Sequence, residues 1–344
     1  MFSGFMYAVK QNLLVPAKSR AARRRLSEYV RARARAHGHR PGRAYRRLFR
    51  ICSESLADFE DCRAFGLLEK TEHERSQYLT SGRYGRLLRL INRPDEPFPR
   101  ERAQLYSRFG PYLGREWRLI SSDTPLDEIK AWAARHPVFW AQSPGAYDGR
   151  EPQRISAGFF EDEFDLREYL VNHGLFLVEE YVLSHESLAA LCPGARHSVL
   201  VTVFSAGGRA RVFGVTLQAG VSDAGERLLC PVCPDTGTVC GFGRLLSDPA
   251  AAYERHPDSG IPLIGLGIPH YERMLALCAE LAAKFPLLPF QSFEFAAKER
   301  GAILLSASDR PDHRIHQVAQ GKGLYPEFAA LAREYVRQAE KAGV

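Results

Sequence analysis

Apolar positions along this chain follow two rhythms. Through the first ninety or so residues they recur at helical spacing. The stretch 19–37 carries a thin stripe of Leu26, Tyr29 and Val30, with Ser19 placed as an N-cap and Gly38 as a stop, which predicts a helix. Residues 42–92 read as helical throughout, with Thr71 and Ser81 as N-caps and Leu87 to Asn92 closing the segment. Asn92-Arg93-Pro94-Asp95-Glu96-Pro97 is a breaker-rich linker. Another helix is expected over 124–136, where Pro125 suits a first turn. From 137 the rhythm shortens. HPVFWAQ, LFLVEEYV, HSVLVTVFS, RVFGVTLQ, FQSFEFAA and AILLS read as strands, and Gly207-Gly208 joins two of them as a hairpin. Between strands, IPHYERMLALCAELAAKF sets Met274, Leu277, Cys278, Leu281 and Phe285 on one helical face. A last helix, 326–341, carries Phe328, Leu331, Tyr335 and Val336. The pattern predicts a helical arm (1–40), a helical region (41–97), an α+β body with antiparallel hairpins (98–330) and a C-terminal helix (326–344).

Length fits that division. The chain has 344 residues, and single cores stop growing near ~250–300 residues. No apolar run approaches the ~18 residues of a membrane-spanning helix. The opening MFSGFMYAVKQNLLVPAKSR lacks the apolar core and small-residue cleavage site of a signal peptide. Seven scattered cysteines, an odd number, indicate reduced thiols in a cytoplasm and not a disulfide framework.

Charge changes the picture at the N-terminus. Residues 1–50 hold 14 Lys/Arg against one acid, Glu28, although the whole chain carries only +7. Everything after residue 50 is therefore mildly acidic. Arg23, Arg24, Arg25, Arg31, Arg33 and Arg35 surround the first apolar stripe. They suit either an anionic membrane surface, met by residues 19–50, or a solvated helix face covering an acidic neighbour. Nucleic acid is not expected as a partner, because no aromatics interleave with the arginines as a stacking platform. The expected location is cytoplasmic, with peripheral attachment at the inner membrane surface under the membrane reading.

One metal-like spacing is present. Cys230-Pro-Val-Cys233 with Cys240 resembles part of a zinc or redox site, with His256 or His270 as a fourth donor. The same residues also read as small apolar thiols on a hairpin, since Pro234-Asp235-Thr236-Gly237 is a turn. No Ser-His-Asp signature or Walker loop occurs.

Three stretches together resemble one family. LVEEYVLSHESLAALCPGARHSVLVTVF, HPDSGIPLIGLGIPHYERMLALCAELAAKFP and FEFAAKERGAILLSASDRPD are similar to the sugar-transfer associated ATP-grasp proteins, relatives of α-L-glutamate ligases. FGLLEKTEHERSQYLTSGRYGRLLRLIN is similar to the region that precedes the ATP-grasp body there, so the resemblance runs from roughly 55 to 330. It implies an ATP-grasp fold, in which two α+β lobes close over ATP and Mg²⁺ and activate a carboxylate for attack by an amine, a carbon–nitrogen ligase chemistry.

Carried over residue by residue, the resemblance keeps the frame and loses charge. The phosphate loop falls on VFWAQSPGAYDGREPQRI, with Gly145 and Gly149 as its glycines, Ala141 where a lysine is expected and Gln142 where a proline is. Glu179 and Glu180 take the hinge-strand places that meet adenine and ribose. The family's Asn-Thr-x-Arg becomes His197-Ser198-Val199-Leu200. On the metal strands Glu294 keeps a carboxylate, while Ser306 and Ser308 replace a glutamate and an asparagine; Asp309 and Asp312 stand just beyond. If the hairpin pairs 294 with 306, the two face one side. The resemblance, with these departures, thus implies an ATP-grasp-like protein or pseudoenzyme in bacterial surface polysaccharide biosynthesis, with glycan-biosynthesis enzymes as partners and an eroded ATP/magnesium site of weak, altered or no ligase activity. Its alternatives are an active ligase using Glu294 with Asp309 or Asp312, and a non-catalytic module docked by the basic arm. A nucleotide site requires Glu180, Glu294 and Asp309 to converge on one cleft.

Overall fold

The computed structural model describes residues 20–36, 38, 40–93, 95–145, 152–206, 209–222 and 227–342. The Gly207-Gly208 turn, Gly149 and the opening segment fall outside these residues.

Helices α1 (Arg20–Ala36) and α2 (Pro41–Ser55) pack on each other through Val30, Ala34, Ala44, Leu48 and Ile51. Helix α2 stops at Leu56, which takes φ +52 and returns its N–H to the Cys52 carbonyl. The expected continuous helix to 92 is therefore broken into α3 (Phe59–Ala64), α4 (Glu72–Ser76) and α5 (Ser81–Ile91). The breaks are encoded locally. Asp58 with Asp61, and Thr71 with Glu74, each form a capping box that starts a new helix. Thr71 is thus the N-cap expected of it. Ser81 is instead the first helical residue, with Thr80 before it.

After α6 (Arg102–Arg108) and α7 (Gly110–Leu113), a small lobe is built from β1 (Trp117–Leu119), α8 (Leu126–Arg135), β2 (Val138–Gln142), β3 (Gln153–Ser156), α9 (Glu163–Asn172) and β4 (Leu177–Glu180). Its four strands pair antiparallel in the order β1-β4-β2-β3. Ile129, Trp132, Phe139, Ala141, Leu166 and Val178 form its core.

The large lobe follows: α10 (Glu186–Ala189), β5 (Ser198–Ala206), β6 (Arg209–Gly220), β7 (Arg227–Val232), α11 (Tyr271–Ala282), β8 (Phe290–Lys298), β9 (Gly301–Ser308), α12 (Ile315–Gln320) and α13 (Tyr325–Ala342). Its sheet runs β7-β6-β5-β8-β9, antiparallel throughout. Alternation gives the sheet two faces. Val199, Val201, Val215, Leu217, Phe293 and Phe295 pack with Met274, Leu277, Cys278 and Leu281 of α11. The other face carries Ser198, Thr202, Thr216, Gln218, Ser292, Glu294, Ser306 and Ser308. There α12 is pinned by His316, whose ring nitrogens meet Thr202 Oγ1 at 2.7 Å and Thr216 Oγ1 at 2.8 Å. Gly214 lies under this ring because an added Cβ would sit 2.8 Å from the imidazole. Helix α13 closes the molecule by packing Phe328 and Ala332 against Tyr84, Leu88 and Ile91.

The architecture is the α+β class expected, with two antiparallel sheets behind a helical N-terminal region. The pattern missed the short strands β1 and β3, and also β7, whose Cys-Pro core disguised it.

Candidate functional site

The polar face of the large sheet opens into a cleft of about 680 Å³, within the ~300–1,000 Å³ common for ligand sites. Gln142 and helix α6 form its opposite wall, and the segment 310–315 closes one end. Its floor is set by the β8–β9 register, which pairs Glu294 with Ser306 and Ser292 with Ser308. The condition posed for 294 and 306 to share one face is therefore met, and both line the cleft. A bulge follows at once: Phe295 pairs with Leu304, leaving Leu305 unpaired beside the site.

Glu294 is the anchor of this floor. Its Oε1 accepts hydrogen bonds from Ser198 Oγ (2.6 Å) and Arg227 Nη1 (2.7 Å), and a long one from Gln218 Nε2 (3.4 Å). Its Oε2 accepts from Ser306 Oγ at 2.9 Å. A carboxylate offers about four lone-pair positions, so few remain. Burial pushes this carboxyl up, but Arg227, Arg196 and the two serines outweigh it and hold it at about 2. Ser306 therefore serves as a donor that holds the glutamate. Ser308 Oγ accepts from the Arg310 N–H at 3.0 Å and lines the cleft wall.

The two aspartates beyond the strand go separate ways. Asp312 reaches the cleft, but Arg314 holds both its oxygens, Nε to Oδ1 at 2.9 Å and Nη2 to Oδ2 at 3.0 Å. Asp309 faces a different recess and accepts from Arg100 at 2.8 Å. Glu294 and Asp309 are thus not brought together. Magnesium takes near-octahedral oxygen ligands, including one or two carboxylates it must have to itself. The residues present do not fit it, since each nearby carboxylate already faces an arginine. Among the described residues, no group of three or more His, Cys, Asp and Glu could hold a metal ion. This also answers the cysteine spacing. Cys230 is buried, and burial pushes its thiol up to about 12, while Cys233 and Cys240 lie nearer the surface. His256 and His270 meet the carbonyls of Gly220 and Lys298 instead.

The hinge strand β4 divides its two glutamates. Glu179 is buried and takes part in a closed network: Oε2 accepts from Arg115 Nε (2.6 Å) and Tyr106 Oη (2.7 Å), and Oε1 from Gln142 Nε2 (3.0 Å). Arg115 Nη1 continues to the Leu304 carbonyl at 2.6 Å, so the network ties the two lobes together. Glu180 lines a separate narrow recess with Trp140, and its Oε2 accepts the Glu116 N–H at 3.1 Å. That recess holds about 20 Å³. A single water needs about 10–15 Å³, so no adenine ring fits there. Trp140 and Tyr181 occupy the place, their rings 5.4 Å apart. Glu180, Glu294 and Asp309 thus line three different cavities.

Of the two glycines expected in the phosphate loop, Gly145 is among the described residues. Gly145 gives its carbonyl to the Arg102 N–H at 3.4 Å. Ala141, expected to mark a charge lost from the cleft, points into the small-lobe core. Its neighbour Gln142 faces the cleft, because successive strand residues alternate sides. Leu200, Ser306 and Ser308 do line the cleft. His197 is buried, with Nε2 on the Cys192 carbonyl and Nδ1 accepting the Gly220 N–H. Burial keeps it below the usual imidazole value.

What the sequence concealed is the cation content. Arg102, Arg196, Arg227, Arg310 and Arg314 all line the cleft, against the carboxylates of Glu294 and Asp312. The cation absent at Leu200 is supplied from elsewhere: Arg227 opens β7, and Arg196 precedes β5. No motif marks either one. Arg227 meets Glu294 only because β7, β6, β5 and β8 lie side by side.

The sugar-transfer associated ATP-grasp family model matches residues 169–333. No curated protein matches the chain. Solved structures similar to it include D-alanyl-alanine synthetase A from Vibrio cholerae, with TM-score 0.41, 9% identity and coverage of 69% of this chain and 65% of that one. An ADP complex of N5-carboxyaminoimidazole ribonucleotide synthetase gives 0.40, 16%, 64% and 50%. The ATP-grasp ligase PsnB, complexed with a phosphomimetic precursor variant, Mg and ADP, gives 0.43, 11%, 71% and 61%. The chain spans between half and two-thirds of the length of these structures. The match to the sugar-transfer associated ATP-grasp family thus covers residues 169–333, just under half of the chain.

Proposed function

We propose that this protein uses an ATP-grasp frame to bind an anionic, phosphate-bearing ligand through arginines, and that it is not a magnesium-dependent carbon–nitrogen ligase. The observation that carries this reading is Glu294. The one carboxylate retained on the metal strands is already held by Arg227, Ser198 and Ser306. Arginine forks match phosphate oxygens directly, so the cleft can offset ligand charge without a metal. An active ligase using Glu294 with Asp309 or Asp312 would have to break the pairs to Arg227, Arg100 or Arg314 first. The matched family is described as sugar-transfer associated, which supports glycan-biosynthesis enzymes as the proposed partners.

The test is calorimetric titration of inorganic tripolyphosphate and of ATP, each with magnesium and with EDTA. Affinity is expected to be the same in both and to be lost in Arg227→Ala. Glu294→Gln is expected to bind tripolyphosphate as well as the native chain, or up to about tenfold more tightly, because Arg227 loses its competing counter-ion. A strict magnesium requirement, abolished in Glu294→Gln and accompanied by ADP release, would establish the ligase reading instead.

A second contact is proposed from the N-terminal helices. Arg25 and Arg33 reach Glu60 and Glu69, so part of the arm does cover acidic neighbours. Arg23, Arg31, Arg35, Arg40, Arg43, Arg46 and Arg50 are exposed. They suit attachment to an anionic membrane surface, at about 1 kcal/mol per cation. No helix of the described residues is long and apolar enough to cross a membrane. Co-sedimentation with phosphatidylserine vesicles at low salt, lost at high salt and in an Arg31→Glu/Arg35→Glu/Arg43→Glu variant, is the expected result. Equal recovery with neutral vesicles would remove this contact.

A further inference from the structure

The five arginines that line the cleft are not in one situation. Arg227 donates to Glu294 at 2.7 Å, and Arg314 holds both oxygens of Asp312. Arg102 is buried and has a partner of its own. Arg310 is exposed. Arg196 is half-buried, and among the described residues its guanidinium makes no hydrogen bond or ion pair. A guanidinium carries five N–H donors. Arg196 thus combines partial shielding from water with donors that no described protein group takes up.

Its backbone, by contrast, is clamped. Arg196 follows a turn in which the Ala195 N–H meets the Cys192 carbonyl at 3.2 Å. His197 locks that turn to β6: Nε2 donates to the Cys192 carbonyl at 3.1 Å, and Nδ1 accepts the Gly220 N–H at 3.3 Å. Gly220 lies so close that an added Cβ would sit 2.7 Å from the Ala195 Cβ and 2.9 Å from the Arg196 carbonyl oxygen. Tyr181 Oη ties the same turn to the end of the hinge strand through the Gly194 carbonyl at 3.2 Å. From this fixed base the side chain reaches the place where two cavities meet. Arg196 and Leu305 line both the 680 Å³ cleft and the small recess beside Glu179 and Glu180. Burial pushes Glu179 and Glu294 up, and Arg196 is among the arginines that bring both below the ordinary carboxylate range. It acts on them through its charge and not through a hydrogen bond. Its planar fork, which matches phosphate oxygens, is left for an anion that enters the cleft.

We propose that Arg196 is the residue that grips the ligand's phosphate directly, at the junction of the cleft and the hinge recess, while Arg227 and Arg314 act as counter-ions that hold Glu294 and Asp312. The assignment rests on the anion-binding reading of the cleft. It places the ligand's charge beside the hinge strand and away from the exposed Arg310. It also gives the loss of binding in Arg227→Ala a different cause: Glu294 is left charged and uncompensated on the cleft floor and repels the phosphate.

Inorganic tripolyphosphate, titrated into the native chain and its variants, decides it. Arg196→Ala is expected to weaken binding about 10–100-fold. Arg196→Lys keeps the charge that Glu179 and Glu294 feel but loses the fork, and is expected to cost about tenfold. Lysine at native affinity overturns the assignment, whether or not Arg196→Ala folds. Arg310→Ala is expected to cost less than Arg196→Ala, and the reverse order would place the phosphate elsewhere. The Arg227→Ala/Glu294→Gln double variant removes the counter-ion pair together and is expected to recover most of the affinity that Arg227→Ala loses. No recovery would show that Arg227 itself grips the ligand. Phenylglyoxal, which labels guanidinium groups, gives a readout on the native chain: peptide mapping should find Arg196 labelled in the free protein and protected by saturating tripolyphosphate. Labelling of Arg196 that bound tripolyphosphate leaves unchanged would also refute its role. If both Arg196 variants bind as the native chain does and only Arg227→Ala fails, Arg196 is excluded and the cleft reading stands. If the native chain does not bind tripolyphosphate, both fall.

Discussion

An Arg115→Ala variant is expected to lose about 3–5 kcal/mol of folding free energy, the usual cost of stranding a buried charge. Typical domains have only about 5–15 kcal/mol in total. Arg115 and Glu179 expose 1% and 2% of their side chains. The guanidinium donates to Glu179 Oε2, Tyr106 Oη and the carbonyls of Leu113 and Leu304. Removing it leaves the carboxylate, a phenol and two carbonyls short of a donor. Burial pushes Glu179 up, yet Arg115 and Arg196 bring it below the ordinary carboxylate range. Its share of stability is therefore complete above about pH 4.5 and is lost as pH falls through the lowered folded value. Urea unfolding at neutral pH measures the loss. An Arg115→Met/Glu179→Leu double variant should recover most of it, because an apolar pair strands no charge. A single-variant loss under about 1 kcal/mol would mean that water reaches Glu179 and that the lobes are not held by this pair.

The second large effect is expected at Asp61. This wholly buried carboxylate accepts the Ser81 N–H at 2.6 Å, His313 Nε2 at 2.8 Å and the Asp58 N–H at 3.3 Å. It joins α3 and α5 to the segment after β9. Asp61→Ala should cost about 3–5 kcal/mol, and Asp61→Asn less, since the amide oxygen can keep one N–H. The pH dependence separates charge from packing. Burial lowers His313, but Asp61 raises it further, so its folded value lies above the usual 6.5. Its contribution is complete below about pH 6.5 and fades as pH rises through the folded value. Asp61 is pushed up by burial and brought lower by His313 and Ser81, so its contribution is lost only as pH falls below 3.8 and through the folded value. Other groups titrate in the same window: burial and Asp61 raise Asp58 to about 6, and burial lowers His316 to about 4. A double-mutant cycle of Asp61→Asn and His313→Gln cancels those groups. The coupling energy should be largest in the mildly acidic range and shrink on both sides. A coupling independent of pH would show that the pair is not ionic.

Much of the frame was legible in the chain because it is written in local chemistry. The alternation of β5, β6, β8 and β9, the stripe of α11 and the Thr71 capping box each depend on neighbours within a few residues. The pairing of Glu294 with Ser306 was not legible: the Lys298–Gly301 turn alone would set Glu294 opposite Leu305, and only the bulge at Leu305 shifts it to Ser306. Where local signals conflicted the reading failed: residues 42–92 are apolar at helical spacing, yet Leu56 ends the helix and Asp58 starts the next. Ala141 was assigned to the cleft because position in a motif does not reveal which face of a strand a residue occupies.

By itself, then, the sequence determined the two-lobed α+β frame and the loss of the charged residues expected along its metal strands. Only the tertiary structure decided that the cleft is nonetheless cationic. Arg102, Arg196, Arg227 and the pair Arg310 and Arg314 come from four separate parts of the chain, and no periodicity relates them. Whether Glu294 meets a metal or an arginine depends on the order of strands β7-β6-β5-β8 in the sheet. Strand order is a property of long-range packing, where alternation constrains each strand's faces but not its neighbours.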